Sequence, residues 1–224
     1  MTLEQKKDLF KHFAQYITPE RAQTILRCAH ERTRYVTVVL EDISHSHNAS
    51  AALRSCDCFG IQDVHMIEMR HTFVENTNIS KGANKWLSIH RYNQPKINNT
   101  QICYEALKKQ NYTIIATTPH TNDVMIDKLP LNNKIALVFG TEEKGLSSYA
   151  LEQADGYAKI PMYGFTQSFN ISVSVALSVY ETTKRLRESN YNWRLTPEEV
   201  VDLQLDWLGR ATYRTEEIQR LIAL

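Results

Sequence analysis

Three short stretches of this sequence combine residue types that can do chemistry. The first, HNASAALR (47–54), carries an asparagine and, six positions later, an arginine. Asn48 is a natural N-cap, Ala49, Ala52, Leu53, Cys56 and Phe59 supply one apolar face, and Gly60 is a natural C′ residue. An arginine so near a helix tip is either a solvated charge or part of a site. The second stretch, FGTEEKGLS (139–147), brackets a tight strand-to-helix turn between Gly140 and Gly145. It has the outline of a phosphate-binding loop, but Leu146 stands where such a loop carries lysine, and no G-x-G-x-x-G occurs. ATP and dinucleotides lose support accordingly. The third, IPMYGFTQSFNISVSVA (160–176), ends a strand at Pro161, turns at Gly164 and sets Ser168 and Asn170 at the mouth of an apolar helix. Each stretch alone admits a structural explanation: a capped helix, a βα turn, an ordinary N-cap.

The elements that must position these residues follow from periodicity. Residues 3–34 read as helical, with Leu3, Leu9, Phe10, Phe13 and Ile17 at near-helical spacing and a restart at Thr18-Pro19. β-Branched and apolar runs predict strands at 35–41, 63–68, 87–92, 112–118 and 134–140. Helices are predicted at 48–59, 100–110, 146–154 and 170–188, and TPEEVVDLQLDWLGR opens a capped tail. The start of the 170–188 helix is apolar almost all round, which predicts burial partly against a second copy of the chain. The alternation predicts an α/β fold: a mostly parallel sheet with helices on both faces, plus terminal helices. Ligands of such folds sit at the carboxyl ends of the strands, here 41–48, 117–121, 140–145 and 160–170.

Bulk properties narrow the classes. The 224 residues are 42% hydrophobic and 23% charged, with a net charge of +1. A uniformly basic nucleic-acid coat is excluded; a local basic patch is not. The four cysteines match no paired zinc pattern, so no metal is expected. No basic leader with an apolar run and no membrane-length apolar stretch occurs, which predicts a cytoplasmic protein with no membrane partner.

Taken together, HN-x-x-A-x-x-R, FG-x-E-x-x-G-L-S and IPM-x-G-x-x-QS-x-N-x-S-V resemble, in order and spacing, the three motifs of the SpoU (TrmH-type) family of S-adenosylmethionine-dependent RNA ribose 2′-O-methyltransferases. KGANKW (81–86) resembles that family's G-x-x-x-W stretch, and the terminal helices resemble those of its tRNA (guanosine) methyltransferases. The likeness covers essentially the whole chain. It implies a C-terminal trefoil knot, a rare exception to the ordinary rule of unknotted chains. It implies adenosylmethionine bound in that knot at Thr117, Gly140, Ile160 and Phe169; the family usually has leucine where Phe169 stands. It implies a catalytic set of Arg54, Asn48, Glu142, Ser168 and Asn170.

A ribose hydroxyl must lose a proton, or have its developing charge stabilised, to attack a sulfonium methyl. The family's matching arginine is proposed as the general base, although free arginine titrates at roughly 12.5 or above. A contact from Arg54 to the target phosphate is the alternative. The resemblance also implies a homodimer with the site at the subunit interface. The organisation expected is a helical RNA-binding extension at 1–34, the methyltransferase domain at 35–188 and a helical tail at 189–224. Arg21, Arg27, Arg32, Arg34, Arg187 and Arg210, with Lys184, Arg185 and Arg214, are the candidate phosphate contacts. The substrate implied is tRNA rather than DNA, at guanosine 18 of the D-loop. An rRNA methyltransferase and a non-catalytic RNA-binding module on the same scaffold are the alternatives.

Overall fold

The computed structural model describes residues 1–119 and 124–212, with Glu216, Arg220 and Leu221; Arg214 and the strand-end position Thr121 lie outside the described residues. In chain order the elements are α1 (Leu3–Ala14), α2 (Pro19–His30), β1 (Val36–Glu41), α3 (Ser46–Cys58), β2 (Asp63–Ile67), α4 (Thr77–Ser80), β3 (Ser88–Tyr92), α5 (Asn99–Lys109) and β4 (Tyr112–Thr117). Then come β5 (Val124–Met125), β6 (Lys134–Phe139), α6 (Ser148–Glu152), β7 (Gly156–Lys159), α7 (Ile171–Glu188) and α8 (Pro197–Thr212). Two compact units result: residues 34–193, and a unit assembled from 1–33 and 194–224.

The larger unit is a seven-stranded sheet in the order β3-β2-β1-β6-β4-β7-β5, with every pair parallel. Parallel sheets need cover on both faces, and strand alternation supplies two apolar surfaces. Val36, Val38, Leu40, Ile135, Leu137 and Phe139 face α3 and α7, meeting Leu53, Cys56, Val175 and Val179. Val39, Ile114, Ala116, Ala136 and Val138 face α5 and α6, meeting Cys103, Tyr104, Leu107 and Ala150. The central strands β1 and β6 are therefore buried on both sides, which is why their sequences read as largely apolar runs, broken in β1 by Thr37 and Glu41. β5, two residues long, has no periodicity to reveal it.

Local chemistry ends the helices where the sequence places the signals. Thr18 caps α2 with Pro19 at its first position. Thr196 and Glu199 close a reciprocal capping box on α8: Thr196 N donates to Glu199 Oε2 at 2.9 Å, and Glu199 N to Thr196 Oγ1 at 3.2 Å. Gly60, at φ +82°, terminates α3 in a Schellman turn, with Ile61 N donating to Cys56 O and Gly60 N to Asp57 O. In the smaller unit α8 packs on both α1 and α2. Its core includes Phe10, Phe13, Ile25 and Trp207, and Lys6 pairs with Asp202 at 2.5 Å.

One polar cluster lies within the sheet. His65 on β2 stacks on His90 of β3 with ring centroids 4.7 Å apart, and its Nδ1 meets the Tyr92 hydroxyl at 2.8 Å. His90 Nε2 meets Asp63 Oδ1 at 3.1 Å, and Arg34 Nε donates to Asp63 Oδ2 at 2.9 Å. Burial, and then the neighbouring His90, push His65 down to about 3. The folded protein thus keeps His65 neutral, whereas the unfolded chain protonates it near its ordinary value of 6.5. Between those two values the unfolded state binds more protons, so stability is lost as pH falls below about 6.5. Urea denaturation between pH 7.5 and 4.5 checks this: the midpoint should fall with pH, and His65→Gln should remove up to about 2 kcal/mol of that fall. An unchanged pH slope in the variant would assign the loss to other groups.

Candidate active site

The loops after β1, β6 and β7 gather at the carboxyl end of the sheet. The loop after β6 is closed on itself: Thr141 N donates to Gly145 O at 3.0 Å, and Gly145 N to Thr141 O at 2.9 Å. Gly145 sits at φ +66°. A Cβ on Gly140 would lie 2.3 Å from the Gly145 carbonyl carbon and oxygen, so only glycine permits this closure. The loop exits at Ser147, whose side chain caps α6 by accepting from Ala150 N at 3.1 Å.

Ser147 is itself held from β1. The buried carboxylate of Glu41 accepts Ser147 N at 2.8 Å, Ser147 Oγ at 2.8 Å and Thr100 Oγ1 at 2.6 Å. Glu41 was absent from the residues singled out in the sequence. Its available signal was a carboxylate ending an otherwise apolar strand at the ligand-binding edge. The next residue, Asp42, is also buried and accepts from Met69 N, Arg70 N, His71 N and Arg70 Nε. Burial alone would raise its titration; the donations of His71, Arg70 and Met69 outweigh that and hold it below the ordinary carboxylate value.

The start of α3 corrects one expectation. The helix begins at Ser46 with His45 at the cap position, and Asn48 lies inside the first turn, its N–H donating to His45 O at 3.0 Å. Its side chain caps nothing. Asn48 Nδ2 donates to the Glu142 carboxylate, and Asn48 Oδ1 accepts from Asn170 Nδ2 at 3.2 Å. Bonds between loops have displaced the local capping bond. Asn170 does cap its helix: its Oδ1 accepts Ser172 N at 2.9 Å and Ser172 Oγ at 2.6 Å. The chain Glu142–Asn48–Asn170 therefore joins all three stretches.

Beside it runs a cleft of about 380 Å³. Thr117, Gly140, Glu142, Ile160, Ser168 and Phe169 all line it. Asn48 and Asn170 are not part of its lining; they bond to its edge through Glu142. Arg54 is not brought into it either. It stands exposed on α3, about 9 Å along the helix from Asn48, with no hydrogen bond or ion pair to any described residue.

The basic residues separate by environment. Arg21 and Arg27 are exposed on α2, Arg187 is exposed over the Trp193 ring at 4.7 Å, and Arg210 pairs with Asp206 at 2.6 Å. Arg32 corrects the expectation of a solvent-facing charge: it is buried, with its guanidinium 5.0 Å from the centre of the Trp207 ring. Arg34 is held by Asp63, and Arg185 donates to the carbonyls of Ile126 and Leu129 at 3.0 and 2.7 Å. Among the described residues no helix is long and apolar enough to cross a membrane.

Comparison with known proteins points in one direction. Residues 35–180 match the SpoU rRNA Methylase family. The chain is 38% identical to the tRNA (guanosine(18)-2′-O)-methyltransferase of Borreliella burgdorferi, over 93% of this chain and 94% of that one. It superposes on the A. aeolicus TrmH/SpoU tRNA modifying enzyme with a TM-score of 0.74 at 27% identity, covering 84% of this chain and 95% of the other. The SpoU methyltransferase AviRb from Streptomyces viridochromogenes, solved with AdoMet, shares the fold at a TM-score of 0.62 and 20% identity, over 70% of this chain and 63% of its own.

Two glycines in these loops should respond differently to a methyl group. Gly140→Ala meets backbone atoms and should lower the melting temperature by several degrees; Gly164→Ala meets nothing within 4 Å and should leave it within about 1 °C. Equal melting of the two variants by circular dichroism would contradict the closed loop.

Proposed function

Because the chain belongs to the SpoU methylase family, we propose that its cleft binds S-adenosylmethionine and that it methylates a ribose 2′-hydroxyl of tRNA, at guanosine 18 in the D-loop. The observation that carries this reading is the convergence of Asn48, Glu142 and Asn170, from three separate stretches, at the edge of a cleft lined by Thr117, Gly140, Ile160 and Phe169. The likeness to a tRNA guanosine-18 methyltransferase along nearly the whole of both chains supports the choice of tRNA. The knotted C-terminal half and a cytoplasmic site of action belong to the same reading.

The residues present fit the cofactor. A cleft of about 380 Å³ falls within the range of roughly 300–1,000 Å³ for small-molecule sites. Its lining mixes apolar walls at Ile126, Ala158, Ile160 and Ile171 with hydroxyls at Thr117, Ser168 and Ser174. The carboxylates of Glu142 and Glu143 suit a sulfonium cation. When bound, adenosylmethionine supplies an electrophilic methyl group. The protein's own part is placement and electrostatics. Glu142 holds the Asn48 amide, Asn48 orients Asn170, and Ser168 and Asn170 form the wall along which a ribose would lie.

Arg54 acts on the 2′-oxygen and the adjoining phosphate. It is exposed and unpaired among the described residues, which leaves its guanidinium available to an RNA phosphate. Since it lies outside its own chain's cleft lining, it serves the cleft of a second copy. Val173, Leu177 and Tyr180, spaced along one face of α7, are 42%, 39% and 49% exposed. That apolar stripe is the contact that forms the homodimer. The terminal helical unit holds the tRNA backbone through Arg21, Arg27 and Arg210, with Arg187 contributing from α7. Arg32 and Arg34 serve the fold instead.

Arg54→Ala should abolish methyl transfer to unmodified tRNA while leaving adenosylmethionine affinity, read by calorimetry, within about twofold. Mapping of the labelled nucleotide tests the substrate: a methyl on rRNA fragments and none at tRNA guanosine 18 would refute the proposed specificity. Sharing of sites is tested by mixing chains. Arg54→Ala and Asn170→Ala, each inactive alone, should together recover roughly a quarter of the wild-type rate, because half the dimers are mixed and each mixed dimer keeps one intact site. No recovery in a mixture shown by mass to contain mixed dimers would place Arg54 and Asn170 in one chain's site.

A further inference from the structure

Most helical hydroxyls in this protein have a hydrogen-bond partner, and several close back on their own helix. Thr24 donates to Glu20 O at 2.8 Å, Ser55 to Ala51 O at 3.1 Å, Thr182 to Ser178 O at 2.7 Å, and Thr183 to Val179 O at 2.6 Å. That is the usual way a hydroxyl is satisfied inside a helix. Ser178 differs. It is 0% exposed, and its Oγ has no hydrogen-bond partner among the described residues. A buried hydroxyl left unpaired is costly, so such groups call for an explanation. Ser178 forms part of the cleft wall, and eight residues, about 12 Å of helix, separate it from Asn170. Ser178 thus belongs to the cleft wall about two turns of α7 beyond Asn170.

We infer that Ser178 binds the cofactor, its hydroxyl bonding to the edge of the adenine ring of S-adenosylmethionine. This rests on the methyltransferase reading and assigns one end of the cleft within it. The methyl group has to lie near the Asn48–Asn170 edge, where the ribose is handled, so another part of the molecule reaches Ser178. Ile126, Ala158 and Ile171 line the cleft with it and are buried and apolar. Of the cleft's charged residues, Glu142, Glu143 and Lys144 belong to the loop after β6 and Lys159 to β7. Lys159, next to Ala158 on β7, points to the opposite face of the sheet by strand alternation. An amino-acid zwitterion placed beside Ser178 would lose hydration from two charges without a countercharge. A purine buries its flat faces there and asks only for hydrogen bonds at its rim.

Ser178→Ala separates this role from a structural one because the two effects have opposite signs. Without ligand the variant should melt about 2–4 °C higher than wild type, an unpaired buried hydroxyl having been removed. By calorimetry it should bind adenosylmethionine roughly tenfold more weakly. It should lose a similar factor for methylthioadenosine, which keeps the adenine and lacks the amino-acid end, measured by displacement of adenosylmethionine. Unchanged affinity for adenosylmethionine, or a loss confined to it and absent for methylthioadenosine, overturns the assignment of Ser178. Wild-type protein that takes up no adenosylmethionine at all overturns the methyltransferase reading itself.

Discussion

Two asparagine amides join what the backbone keeps apart. Asn48 follows β1, Glu142 follows β6 and Asn170 opens α7, and they meet only through side-chain hydrogen bonds. Asn48 can serve both neighbours because its amide presents a donor and an acceptor at once: the nitrogen to Glu142, the oxygen to Asn170. An aspartate there would set a second carboxylate against Glu142, and a leucine would take this partner from both the Glu142 carboxylate and the Asn170 Nδ2. The cleft inherits its shape from this link, since two of its walls, the 140–145 loop and the start of α7, are the parts it joins.

The link works because the pieces under it are rigid. β1 and β6 are adjacent in the sheet and in register from Val36 opposite Ile135 to Leu40 opposite Phe139. Their two loops therefore leave from neighbouring points. Glu41, the last residue of β1, then fixes the far end of the β6 loop at Ser147. A buried carboxylate tolerates burial only when its oxygens are engaged, and three donors engage this one. Asp42 does the same for the segment at 69–71. Successive acids at the end of one strand thus tie down two separate loops.

Much of this was legible in the residues. Strands with both faces buried show as runs of β-branched and apolar side chains, and caps such as Thr18-Pro19, Thr196–Glu199 and Gly60 are local, so their signals survive in the sequence. What was not legible depends on distant partners. Asn48 has the side chain of an N-cap, and only the proximity of Glu142 and Asn170 draws it away from that task. Arg32 looks like a surface charge until Trp207, far along the chain, comes to lie beneath it. Ser178 is one small residue in an apolar helix, and its lack of a partner is a property of the packed structure alone. Thr117, Gly140 and Ile160 fell together in one cleft because they come from strand ends, whose positions periodicity already implies.

The helical unit built from both ends of the chain has a consequence for biosynthesis. Its first two helices are made before the sheet, and α8, which packs on both of them, only after it. About 160 residues separate Thr33 from Arg194, on the order of ten to thirty seconds of elongation. During that interval α1 and α2 expose apolar side chains that nothing in their own segment can bury, while the sheet of the larger unit can already assemble. The nascent chain therefore carries two sticky helices until α8 is made, and it is at that stage, rather than in the finished protein, that holdase chaperones would find their site.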